Sequence, residues 1–200
     1  MSLAAFQSAL LRLIADPAFR DAVTARGTDA LGSNLTPLET SRLQRIASDR
    51  GLDINRTLHK GFRLGKLRAL LPLTCRLLGA RRLARELPVF WQQRPPASFS
   101  FLPEALDFCD WLARRRLRIR YLGEVLAYER ALLELERART GTAPIQVVRF
   151  THDPAALLAA LADDRRPRAI AIHPCRAIGW RDASGAVRWR IRDAAPASRA

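Results

Sequence analysis

The chain of 200 residues is poor in the side chains from which most active sites and metal centres are built. It has three histidines (His59, His152, His173), three cysteines (Cys75, Cys109, Cys175) and two lysines (Lys60, Lys66). The cysteines are far apart and form no CxxC pair, so they read as small buried hydrophobes, not as a disulfide or redox framework. His173-Pro174-Cys175 offers two metal ligands, but no third or fourth stands nearby to complete a structural zinc site, and no metal is expected. GxSxG, the P-loop, GxGxxG and HExxH are all missing, which removes support for the common hydrolase, NTPase, dinucleotide and zinc-protease readings. No catalytic residue and no cofactor are therefore expected. Nor is there a run of about eighteen apolar residues, so no membrane-spanning helix is predicted. The start, Met1-Ser2-Leu3-Ala4-Ala5-Phe6, has no basic region followed by an apolar one, and a cytoplasmic location is expected.

What the chain does have is apolar content and positive charge. Hydrophobic residues make up 48% of it, enough at this length to bury a real core. The net charge is +15, and the segment from Arg42 to Arg94 alone carries +10, while residues 1–41 and 100–142 are close to neutral. Such a concentration suits a surface that meets an anionic partner, and it equally suits a set of solvated helix faces.

Residues 1–140 read as successive short helices, a mainly helical domain. Leu3, Phe6, Leu10, Leu13 and Ile14 recur at helical spacing, and Asp16-Pro17 combines an N-cap with a first-turn proline. After a loop over Gly27 to Asn34, Thr36-Pro37-Leu38-Glu39 presents a capping box. The helix it opens is predicted to end at Arg50-Gly51. Leu52 to Phe62 and Leu64 to Leu78 follow as separate helices, with Pro72 kinking or dividing the second and Gly79 stopping it. Arg81 to Trp91 continues as a basic amphipathic segment. Gln92 to Ser100, with Arg94-Pro95-Pro96, is predicted to be a rigid connector, either a contact surface or a crossover with Trp91, Phe99 and Phe101 as core anchors. Leu102 to Arg115 and Tyr121 to Arg139 complete the helices. The carboxylates Glu124, Glu129, Glu134 and Glu136 alternate with arginines on the last of these, which predicts an exposed ionic face.

The composition changes at Thr140 to Pro144. Ile145 to Phe150 is a β-branched strand pattern, Asp153-Pro154 caps a helix through Leu161, and Arg168 to His173 reads as a second strand. Ala177 to Trp180 and Ala186 to Ile191 read as a hairpin about Asp182 to Gly185. The fold class expected is α+β: a helical N-terminal domain over 1–140, a small β-α-β-β domain over 144–193 that packs on it, and a frayed tail over 194–200.

Between Leu70 and Arg137 the order Leu71-Pro72, Leu78-Gly79, Phe90-Trp91, Pro95-Pro96-Ala97-Ser98, Phe108, Leu112, Tyr121-Leu122, Glu124-Val125 and Tyr128-Glu129 resembles the helical domain of HvfC/BufC-type proteins, a group often labelled DNA-binding. The resemblance covers about a third of the chain and leaves out the portion from Phe6 to Leu58. It implies a partner subunit of multinuclear non-haem iron oxidative enzymes, which modify cysteines in ribosomally made peptides. The partner recruits the precursor peptide and docks it on the iron enzyme, so the resemblance also implies a hetero-oligomer.

On that reading a precursor's leader adds as an extra strand to the edge formed by Ile145 to Phe150 or by Val187 to Ile191. The expected peptide-binding residues are Val147, Arg149, Phe150, Arg188, Arg190 and Arg192, whose arginines favour an acidic leader. The helical domain faces the enzyme through Arg63, Arg68, Arg81, Arg82, Trp91 and Arg94. The alternative is nucleic-acid binding, for which the +10 segment supplies charge and a loose helix-turn-helix, though no helix stands out as a base-reading one.

Overall fold

The structure, a computed structural model, describes residues 3–32, 34–94, 101–138 and 145–193. For Leu3, Ala15, Thr28, Asp53, Asn55, Arg56 and His59 it describes the backbone alone. Among the described residues, seven α-helices and a short 3-10 helix precede a three-stranded antiparallel sheet that has an eighth helix between its first two strands, an α+β architecture. No helix among them is long and apolar enough to cross a membrane. The chain forms two compact units, residues 1–64 and 65–200.

The first unit contains α1 (Leu3–Ala15), α2 (Pro17–Arg26), the 3-10 turn Gly27–Ala30, α3 (Pro37–Ala47) and the first part of α4 (Arg50–Leu70). Local chemistry sets its boundaries. Asp16 Oδ1 accepts hydrogen bonds from the Ala18 and Phe19 N–H groups at 3.0 and 3.2 Å, and Pro17 fills the first helical position. Thr36 and Glu39 form the expected capping box, with the Thr36 N–H donating to Glu39 at 2.8 Å and the Glu39 N–H to the Thr36 hydroxyl at 3.3 Å. Leu13, Phe19, Val23, Leu43 and Ala47 make the core.

The stop expected at Gly51 is not there. α3 ends at Ala47, and Gly51 lies in the first turn of α4, because Asp49 Oδ1 accepts the Gly51 N–H at 2.7 Å and so supplies a start signal. The two helices expected over 52–62 and 64–78 give way to one helix that runs unbroken to Leu70.

In the second unit, Pro72 divides the chain as expected: Leu71 is non-helical and Pro72 begins α5 (Pro72–Gln93). Gly79, at φ 71° and ψ 164°, is non-helical and stops the helix there as expected, so α5 is two helices that meet at a kink. α6 (Phe101–Arg114) and α7 (Leu122–Arg137) follow, and Phe90 of α5 packs on Phe108 of α6 with ring centroids 4.9 Å apart. The Pro95-to-Ser100 part of the connector, the composition change at 140–144 and the tail 194–200 lie outside the described residues.

The sheet consists of β1 (Gln146–His152), β2 (Ile172–Arg181) and β3 (Val187–Asp193), with α8 (Pro154–Ala162) between β1 and β2. Strand order is β1-β2-β3, both pairs antiparallel. The strand expected over Arg168 to His173 instead begins at Ile172 and runs on through Ala177 to Trp180, so one strand replaces two. Residues just before it have other partners: the Ala171 carbonyl accepts the Asp153 N–H at 3.0 Å, and the Ile170 N–H donates to the Tyr121 hydroxyl at 3.2 Å. The sheet packs on α7 and α8 within the same compact unit as α5 and α6, and Val125, Val148, Phe150, Leu157, Leu161 and Ala177 fill the core between them.

An arginine face on an open sheet

The register of the sheet decides what its two faces carry. Directly opposed residues share a face, and side chains alternate along each strand. Val148 with Ala177, and Phe150 with Cys175, point inward and are buried. The opposite parity gives the outer face: Val147, Arg149 and Thr151 on β1, Arg176, Ile178 and Trp180 on β2, and Arg188, Arg190 and Arg192 on β3. Arg149 pairs with Arg176, and Arg176 with Arg192, so three arginines stand abreast across three strands.

All five arginines of this face are exposed. Arg188 is held by Asp182 of the β2–β3 turn, Nε to Oδ2 at 2.8 Å, and the Arg190 guanidinium lies 6.0 Å from the Trp180 ring centroid. The Ser184 and Arg188 donors keep the Asp182 carboxyl well below the usual carboxylate range, so the turn stays charged. Among the described residues no carboxylate pairs with Arg149, Arg176, Arg190 or Arg192, and the flanking segments 139–144 and 194–200 contain no acidic residue. Like charges directly opposed across a sheet are destabilising. A row of three is an unfavourable arrangement for the chain alone and a favourable one for an anion laid across it.

The sheet is fixed to the helices by carboxylates of α7. Glu124 Oε2 accepts the Thr151 and His152 N–H groups at 3.0 and 3.1 Å, and Oε1 lies 2.7 Å from His152 Nδ1. Five residues on, the buried Glu129 accepts the Leu73 and Thr74 N–H groups at the start of α5, each at 2.7 Å. One helix thus secures both the end of β1 and the start of α5. The solvated ionic face expected for Glu124 and Glu129 is overturned by these contacts. On the inner side Gly179 permits a close crossing, since a Cβ there would stand 2.7 Å from the Trp189 ring and 2.9 Å from Leu135 Cδ1.

Of the expected peptide-binding residues, Val147, Arg149, Arg188, Arg190 and Arg192 share the outer face. Phe150 does not: it is on the inner parity, 3% exposed, and packs toward Tyr128. Arg176, Ile178 and Trp180 complete the face and were missed, because splitting β2 into two strands loses the register that places them there.

The expected enzyme-facing residues form no comparable group. Arg63 belongs to the first unit and is only 6% exposed, so its side chain is no surface cation. Trp91 is half-buried and its Nε1–H donates to Glu104 at 2.9 Å. Arg68, Arg81 and Arg94 are exposed and Arg82 partly so, but Arg81 and Arg94 are separated by about 20 Å of helix. His152 and His173 each take a different carboxylate, Glu124 and Asp193. Among the described residues no three His, Cys, Asp or Glu side chains gather in a metal-ligating group. No family model matches the chain, and comparison with curated proteins finds no match either.

Proposed function

We propose that the chain is a non-catalytic accessory subunit that captures an extended, acidic stretch of a ribosomally made precursor peptide and presents it to a multinuclear non-haem iron oxidative enzyme, where a cysteine of the peptide is modified. The observation that carries the capture step is the three-stranded sheet whose outer strands have no further strand beside them among the described residues, under a face of five arginines. An extended peptide joining such an edge gains backbone hydrogen bonds whatever its sequence, and the arginines add a preference for acidic side chains. The identity of the enzyme rests on the resemblance between Leu70 and Arg137. Arg68, Arg81, Arg82 and Arg94 are the exposed or half-exposed cations of the helical part that would face it, in a hetero-oligomer.

The test is co-expression of the full chain with a candidate iron enzyme and its peptide, read by mass spectrometry. The three together should yield the mass change of an oxidised cysteine, and the chain with the peptide alone should leave its mass unaltered. Turnover of the peptide by this chain without the enzyme would refute the reading.

A second reading, single-stranded nucleic acid on the same face, is favoured by Trp180 beside Arg190, an aromatic platform within a phosphate-binding surface. It requires binding that weakens steeply with salt, with a log–log slope set by the number of phosphates neutralised. Failure to bind an oligonucleotide at low salt eliminates it.

A further inference from the structure

The two edges of the sheet are not equivalent, and the difference specifies both the edge used and the pattern of what it takes. This step rests on the reading above, that the sheet accepts a strand.

On β3 every outward side chain is arginine, at positions 188, 190 and 192, and the inward ones are the apolar Val187, Trp189 and Ile191, followed by Asp193 at the strand's end. Ile191 has the same parity as the buried Ala177 it pairs with, yet it is 49% exposed. The inner layer therefore stops short at β3, leaving apolar surface beside the edge for a neighbour to cover. A second copy of β3 is a poor neighbour, since it would set arginine against arginine across the new pair. A strand with acids on its outer side and apolar residues on its inner side matches on both.

β1 offers less. Its outward positions are Val147, Arg149 and Thr151, one charge in three, and its inward residues Val148 and Phe150 are each 3% exposed and already covered. At its C-terminal end the Thr151 and His152 N–H groups are spent on Glu124, and the register shifts between Phe150 and His152. Donors that a neighbouring strand would need are thus already taken.

We propose that β3 is the edge that is occupied, and that its occupant is an extended segment alternating acidic and apolar residues, with acids opposite Arg188, Arg190 and Arg192 and apolar side chains beside Trp189 and Ile191. A block of acids lacks the second half of that match, and a basic segment is repelled by it.

The test uses the full chain and fluorescein-labelled probes in anisotropy titrations: a nonapeptide alternating Glu and Val, one of the same composition with the residues in blocks, one alternating Lys and Val, and a twelve-nucleotide oligo-dT. The alternating Glu–Val peptide should bind about tenfold or more tightly than the block peptide. In the R190E/R192E variant, altered only at exposed positions and checked by thermal unfolding, that binding should fall by more than about tenfold while the Lys–Val peptide gains affinity. R149E, two strands away from the occupied edge, should weaken Glu–Val binding by several-fold less than R190E/R192E does. Loss in R149E with no loss in R190E/R192E would move the occupant to β1, overturning this inference and leaving the sheet reading intact. Equal binding of block and alternating peptides would overturn the pattern. Absence of binding by any peptide, or capture of oligo-dT alone, would overturn this inference and the peptide-capture reading together.

Discussion

The Glu129 carboxylate on α7 accepts the backbone N–H of Thr74 at 2.7 Å, across 55 residues of sequence, while its other oxygen takes the N–H of Leu73. An acid from one helix thus serves as the N-terminal cap of another. Removing it in E129A leaves the buried Thr74 donor and the half-buried Leu73 donor without a partner, and the expected loss is about 2–4 kcal/mol by urea denaturation. Burial raises the Glu129 carboxyl above the ordinary 4.5, against the opposing pull of the Thr74 and Leu73 donors. A carboxyl that holds its proton more tightly folded than unfolded contributes fully below the unfolded pKa, and that contribution is lost as pH rises through the folded one. The deficit of E129A should therefore be larger near pH 4 than near pH 8. A deficit that grows toward alkaline pH would contradict this balance.

Cysteine chemistry belongs to the peptide in the proposed function, and this chain's own thiols are suited to staying out of it. Burial pushes the Cys75 and Cys109 thiols up to about 12 and raises that of Cys175. At about pH 8 the native protein should react with an aromatic disulfide reagent far more slowly than the urea-unfolded chain, which titrates all three cysteines. Rapid reaction of any one of them in the folded state would overturn the assignment as inert core groups.

Trp189 crosses Gly179 so closely that even a methyl group has no room, with 2.7 Å from the added Cβ to the ring. G179A is expected to cost about 2 kcal/mol through overpacking. The same substitution in a W189A background should cost less, the two coupling by about 1 kcal/mol in a double-mutant cycle. Simple additivity would show that the ring does not lie where it is placed.

Arg176 stands between Arg149 and Arg192 in the row across the sheet. Replacing it with glutamate converts two repulsive cross-strand pairs into attractive ones. R176E should stabilise the isolated protein by roughly 0.5–1 kcal/mol at low salt, with a smaller gain near 1 M NaCl, and it should weaken capture of an acidic peptide. A variant that is more stable and binds less well would identify the row as one retained for binding.

Signals contained within a few residues were legible in the sequence. Asp16-Pro17, Thr36 with Glu39, Asp153-Pro154 and Pro72 each set a helix boundary where local chemistry placed it. Gly51 misled because Asp49, two residues earlier, turns the same stretch into a helix start. The remainder depended on distant partners. Glu124 and Glu129 look solvated from their spacing among arginines, and only contacts 28 and 55 residues away show otherwise. The local pattern divides β2 at Pro174 to Arg176, where a proline is a poor strand residue, whereas the strand is fixed by its neighbours on both sides. The arginines of β1 and β3 were individually visible, and their gathering with Arg176 and Trp180 on one face follows from a register that no local pattern carries.

The central claim, that the sheet is the capturing surface, is tested most directly by amide spectra of the isotopically labelled chain titrated with the alternating Glu–Val peptide. The predicted result is perturbation concentrated in Val187–Asp193 and in the outward residues of Ile172–Arg181. Shifts confined to α4 and α5, with the strands unmoved, would contradict it.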